Sequence, residues 1–137
     1  MTRQVDVISP EASLEEAARR MDQLNVGPLP VCENERLVGR VTDRDITVRA
    51  TAAGKDPRTT PVREAMSQDV LYCFDDQDVR EAVELMERQQ VRRVPVLDRS
   101  QRLVGIVSLG DLATDTRDDR VMGEILERVS EPAEPDR

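Results

Sequence analysis

The feature that most constrains this chain is that it is written twice. "MTRQV" (1–5) aligns with "MSQDV" (66–70), and "SLEEAARRMDQLNVGPLPV" (13–31) aligns with "DVREAVELMERQQVRRVPV" (78–96). After one extra residue at Ser100, "RLVGRVTDRDI" (36–46) aligns with "RLVGIVSLGDL" (102–112). Two copies are too few for a solenoid, whose stacked units need at least about three repeats. Each copy has roughly 45 core residues, too few to bury a secure core alone. The repetition therefore predicts two small units whose sheets pair around a common core.

Each copy carries the same local signals. Val5 to Ile8 and Val70 to Phe74 are short extended segments. Ser13 opens a helix with Glu16 three residues on, the spacing of a capping box, and Asp78 with Glu81 repeats the start with an acidic cap. Leu14, Ala17, Ala18, Met21 and Leu24 recur at helical spacing, as do Val79, Ala82, Val83 and Met86, which predicts one apolar face on each helix. "PLPV" (28–31) and "RVPV" (93–96) hold a proline within an apolar run, the mark of an edge strand or a strand end. Leu37–Val41 and Leu103–Val107 are the return strands. A second helix follows each, the first from about Asp43 to Ala53 with Gly54 as its stop. The fold class is α/β of the α+β type, each unit running strand-helix-strand-strand-helix. The expected divisions are 1–53, a linker at 54–61, 62–116, a final amphipathic helix at 117–130 and a flexible tail at 131–137.

Composition narrows the function. The chain has 20 Lys and Arg against 28 Asp and Glu, a net charge of −8. Affinity for nucleic acid comes largely from Lys and Arg neutralising phosphates, so this balance argues against it. With Tyr72 and Phe74 as its aromatic residues, the chain offers little on which bases could stack. No apolar run approaches the roughly 20 residues that span a bilayer, and "MTRQVDVISP" lacks the apolar core of a signal peptide. The expectation is a cytoplasmic protein with no nucleic-acid or membrane partner. Cys32 and Cys73 lie beside apolar residues and are expected to be small buried hydrophobes rather than a disulfide. Histidine is absent, and there is no Cys-x-x-Cys, so a zinc site has almost no ligands to draw on. No nucleophile elbow, Cys-His pair or phosphate-cradling glycine loop is present. No catalytic set is expected.

The two "VGxV[ST]xxD" segments, each preceded by a "PV" strand and a helix reading "EAAxxM" or "EAVxLM", resemble the CBS domain. A tandem pair of these domains is called a Bateman module. "VTDRDI" (41–46), "AAGKDP" (52–57) and "VRRVPV" (91–96) are similar to the stand-alone members built from two such domains. The resemblance covers about residues 1–53 and 62–114. It implies two units packed sheet to sheet about a pseudo-two-fold axis, with a cleft for each "[ST]xxD". It also implies an adenosine-containing ligand (AMP, ADP, ATP or S-adenosylmethionine), no required cofactor, a homodimer and an effector protein as partner.

The same residues admit two readings. Thr42 with Asp45, and Ser108 with Asp111, have the spacing of a helix-capping box. They also suit ribose, since a carboxylate accepts from both hydroxyls of a cis-diol. The two roles are compatible. Arg92 and Arg93 are phosphate-binding candidates, because the planar guanidinium matches phosphate oxygens. In the regulatory gamma subunit of AMP-activated kinase a His-Arg pair stands at this place. The first copy departs, with Gly27 and Pro28 there; Arg44 is either a compensating cation or an ordinary surface helix residue. Val5, Val26, Val70, Tyr72 and Val91 are candidate walls for the base, or ordinary core. The expected function is a non-enzymatic energy or signal sensor that binds an adenosine-containing ligand. The alternative is a protein-interaction module whose clefts are vestigial or empty.

Overall fold

The computed structural model describes residues 1 and 3–115. It contains two compact units, one from Asp6 to Val70 and one formed by Met1–Val5 together with the chain from Leu71. The predicted helix at 117–130 and tail at 131–137 lie outside the described residues.

The first unit begins with an isolated parallel bridge between Ile8 and Val31, so the expected strand at Val5–Ile8 contracts to one paired residue. Helix α1 (Leu14–Leu24) starts at Ser13, whose side chain accepts the Glu16 N–H. Glu16 does not complete the expected box, because its carboxylate turns to Arg20. Leu14, Ala17 and Met21 are buried, each fully buried large side chain contributing about 1.5–3 kcal/mol. Ala18 and Leu24 fall outside this stripe and are exposed. The helix ends at Asn25, in the left-handed conformation at φ 55°. The Asn25 and Val26 N–H groups donate to Asp22 and Met21 carbonyls at 3.3 and 3.0 Å, the paired bonds of a Schellman motif.

Strands β1 (Leu29–Glu33) and β2 (Arg36–Val41) form an antiparallel hairpin. Helix α2 is one turn, Asp43–Asp45, and continues as a π-helix over Ile46–Thr51. The predicted helix is therefore present but wider than an α-helix. Three β-branched residues in succession, Ile46, Thr47 and Val48, crowd an α-helical turn. Thr47 Oγ1 also donates to the Asp43 carbonyl at 3.0 Å, a back-bond that loosens a helix. The Ala52 and Lys55 N–H groups reach back five residues, to Thr47 and Ala50 carbonyls.

The expected linker at 54–61 is part of this unit. Leu14 and Glu15 N–H groups donate to the carbonyls of Thr60 and Pro57, both at 3.0 Å, which satisfies donors that a helix start leaves open. A 3₁₀ turn (Val62–Glu64) then puts Val62 into the core with Ala65. Ser67 pairs with Arg40 through two backbone bonds of 2.9 and 2.8 Å.

The second unit repeats the plan with β3 (Cys73–Phe74), α3 (Val79–Gln89), β4 (Arg93–Leu97), β5 (Leu103–Ser108) and α4 (Leu109–Asp115). Asp78 caps α3 by accepting the Arg80 N–H. Ala82, Val83 and Met86 are buried, whereas Val79, in the first turn, is 38% exposed. Gln90 and Val91 repeat the Schellman end. The sheet order is β3-β4-β5, so Pro95 lies in a central strand, not at an edge. It is tolerated because β3 pairs only with Val96 and Leu97, beyond the proline. The Asp75 N–H donates to Leu97 O, so the side of β4 that lacks the proline N–H is the one met by the shorter strand.

Candidate functional site

In the first unit, β2 delivers Thr42 to the start of α2. The Asp45 N–H donates to Thr42 Oγ1 at 3.0 Å, and the Thr42 N–H donates to Asp45 Oδ2 at 2.9 Å. This reciprocal pair is a complete capping box. Both residues are half-buried. The Asp43 N–H donates to the Gly27 carbonyl at 3.2 Å, which ties the helix start to the residues between α1 and β1. Val26, Gly27, Thr42 and Asp45 are thereby gathered at one end of the hairpin. Arg44 sits in the same turn, exposed.

The second unit builds the same arrangement. The Asp111 N–H donates to Ser108 Oγ and the Ser108 N–H to Asp111 Oδ2, both at 3.1 Å. The Leu109 N–H donates to the Arg92 carbonyl at 2.8 Å, matching the Asp43 to Gly27 bond. Arg93 is paired across the sheet with Ser108, so residues 15 positions apart in sequence become neighbours on one face. The backbone of Val91 and Arg92 lies at this same end. Arg92 and Arg93 are exposed. The Asp111 carboxyl is held below the ordinary carboxylate range, first by the Ser108 N–H and then by the Ser108 side chain. A further contribution comes from the N-terminal ammonium of Met1, 3.6 Å away.

Each capping box thus coexists with a cluster at the same strand end, once in each unit. The base-wall candidates are less uniform. Val26 and Val91 are half-buried and pack against their unit's core. Val5 and Val70 are half-buried; Val5 belongs with the second unit and Val70 with the first. Tyr72 is 42% exposed and meets Phe74 edge-on at 5.5 Å. It lines a shallow groove of about 270 Å³ with Cys73, Gln77 and Leu85, among others, on the flank of α3 rather than beside Ser108 and Asp111. Both cysteines are free. Burial pushes the Cys32 thiol up to about 11 and raises that of Cys73, which keeps both protonated and poorly nucleophilic.

Asp43 and Leu109 were not singled out from the sequence. They occupy the same position in the two copies, and their N–H groups tie each helix start to the backbone before the strand, at Gly27 and Arg92. The signal was present in the alignment, which sets an acid against a leucine immediately after the hydroxyl residue.

The sequence and the fold have counterparts in known proteins. The CBS domain model matches residues 1–50 and 62–115. The chain is 43% identical over 130 residues to the CBS domain-containing protein YhcV of Bacillus subtilis, covering 95% of this chain and 91% of that one. Hypoxic response protein 1 of Mycobacterium tuberculosis is 39% identical over 114 residues, covering 82% and 79%. The crystal structure of Hypoxic Response Protein I with two coordinated zinc ions is similar at a TM-score of 0.73 and 38% identity, covering 85% of this chain and 94% of that one. The structure of CBSX2 in complex with AMP is similar at a TM-score of 0.70 and 25% identity, covering 84% and 90%. Two matched segments span most of the sequence and coincide with the repeat, so the chain belongs to the CBS-domain family and carries two copies of that domain.

Proposed function

We propose that this protein is a non-enzymatic regulator that binds an adenosine-containing ligand: AMP, ADP, ATP or S-adenosylmethionine. Asp45 and Asp111 accept from the ribose hydroxyls, Thr42 and Ser108 assist, and Arg92 and Arg93 hold phosphate. The observation that carries this reading is the convergence of Arg92, Arg93, Ser108 and Asp111 at one strand end of the second unit. A carboxylate and two arginine positions at one strand end suit a ribose followed by phosphate. The AMP complex of the related CBSX2 gives the same ligand class. Binding acts on a partner or on a homodimer only through its differential affinity for two states.

The zinc of the hypoxic response protein is not carried over. This chain has no histidine, and among the described residues no group of three or more His, Cys, Asp and Glu is placed to hold a metal ion. The competing reading is an interaction module with empty clefts. It is favoured by one observation, that both capping boxes are satisfied by the protein alone. Native mass spectrometry of the freshly purified protein separates the two. The sensor reading expects a mass increment of an adenosine derivative, restored by added AMP after stripping. Bare protein that stays bare with AMP, ADP, ATP and S-adenosylmethionine at millimolar concentration supports the empty module.

A further inference from the structure

The two half-sites share a backbone design and differ sharply in charge. In each, the N–H after the hydroxyl residue donates to the carbonyl of the residue three before the strand's proline (Pro30 or Pro95): Asp43 to Gly27, and Leu109 to Arg92. The side chains at these paired places are opposite in kind. In the second unit Arg92 brings a cation, and Leu109 turns into the core at 2% exposure. In the first unit Gly27 brings no side chain, and Asp43 is exposed. The Asp43 carboxylate fills the place that a side chain at residue 27 would need. A Cβ on Gly27 would stand 3.1 Å from Asp43 Oδ1. That oxygen is fixed, because it also accepts the Arg44 N–H at 3.0 Å.

We propose that Asp43 is a specificity-determining residue, making the first half-site select an adenosine that carries no anionic group on its 5′ carbon and reject one that carries phosphate. The second half-site, with Arg92 and Arg93, takes the phosphorylated form. This rests on the adenosine-binding reading above and assigns a ligand class to each half. The physical reason is direct. A carboxylate occupies the first unit's counterpart of the position where Arg92 leaves the backbone. A phosphate approaching there meets a fixed like charge instead of a guanidinium, and Arg44 offsets only one of the two carboxylates, Asp43 and Asp45. A repulsion of a phosphate dianion by one carboxylate at partly solvated range amounts to about tenfold or more in affinity. Adenosine, being neutral at its 5′ end, escapes it. S-adenosylmethionine, whose sulfonium stands on the 5′ carbon, escapes it too.

The test is calorimetry on the full chain with adenosine, S-adenosylmethionine and AMP. Asp111→Asn disables the second half-site, so this background reads the first alone; Asp45→Asn does the reverse. In the Asp111→Asn background the non-anionic ligands should bind at least about tenfold more tightly than AMP. Adding Asp43→Asn keeps an acceptor for the Arg44 N–H but removes the charge. It should raise AMP affinity about tenfold and change adenosine affinity less than about twofold. Asp43→Leu, which copies the second unit, should do the same. In the Asp45→Asn background AMP should be preferred over adenosine, and Asp43→Asn should leave that preference unchanged. Equal affinity for AMP and adenosine in the Asp111→Asn background overturns the inference, as does an unchanged ratio on Asp43→Asn. Binding by the unsubstituted chain that vanishes for every ligand in Asp111→Asn also overturns it. No binding to the unsubstituted chain overturns the adenosine reading itself, which is a distinguishable outcome.

Discussion

Gly39→Ala isolates a single close approach whose cost can be worked out. Gly39 is buried in β2, two residues before Val41 and three before Thr42. A Cβ there would stand 2.6 Å from Ser67 O and 3.3 Å from Met66 Sδ. The methionine can move; the carbonyl is backbone. To reach ordinary contact the carbonyl must retreat by roughly 0.8 Å. The bonds joining Arg40 and Ser67, now 2.9 and 2.8 Å, would then exceed the usual hydrogen-bond range. Losing both costs about 2 kcal/mol, and residual overpacking adds about 1 kcal/mol. The smaller conformational freedom of alanine in the unfolded chain offsets about 0.4–1 kcal/mol. The net loss is about 2 kcal/mol, or a fall in Tm of about 8 °C for a chain of this size. Gly110→Ala is the control. Its nearest obstacle is Ser108 Oγ at 3.7 Å, so helix propensity should add about 0.5–1 kcal/mol. Thermal unfolding followed by circular dichroism at one protein concentration reads both. A Gly39→Ala protein that melts within about 2 °C of the parent would refute the reasoning.

Other consequences can be measured on the same footing. Thr42→Ala and Ser108→Ala each remove half of a capping box and should each cost about 1 kcal/mol in a denaturant titration. Gln101, in a tight turn at φ 67°, should gain about 0.5–1 kcal/mol on replacement by glycine, which holds that conformation without strain; a lowered Tm would count against this. The depressed Asp111 carboxyl has a definite sign. Its ionised form is favoured in the folded state, so its stabilising effect is complete above the ordinary value of 3.8 and is lost as the pH falls below it. Below that pH, Tm should therefore fall more steeply for the parent than for Asp111→Asn.

Much of this architecture was legible in the sequence because it rests on short-range rules. Ser13, Asp78, Thr42 and Ser108 are small polar residues at helix starts, and all four cap in the structure. Apolar residues at helical spacing placed the buried faces of α1 and α3, and short apolar runs on either side of polar residues placed the hairpins. What escaped depends on partners distant in the chain. "KDPRTTP" has a linker's composition, yet the Thr60 and Pro57 carbonyls are taken by the open N–H groups of Leu14 and Glu15. Pro95 suggested an edge, yet the brevity of β3 admits it to the middle of a sheet. The π-helix follows from Ile46, Thr47 and Val48 in succession, a crowding that a pattern of apolar positions does not register. For the candidate site, capping-box spacing pointed to Thr42, Asp45, Ser108 and Asp111, and it was the family resemblance that gave them and Arg93 a ligand to hold. The cross-strand register that seats Arg93 beside Ser108 had to be seen. So did the contact of Asp43 with Gly27.

The central claim is that the two hydroxyl-carboxylate pairs hold an adenosine-containing ligand. Calorimetric titration of AMP, and separately of S-adenosylmethionine, into the parent chain and into Asp45→Ala/Asp111→Ala tests it most directly, at a temperature where melting curves show both proteins folded. The account predicts saturable heat with the parent for at least one of the two ligands, and its loss in the double variant. Heat that persists unchanged in the double variant, or the absence of heat with the parent for both ligands, would contradict it.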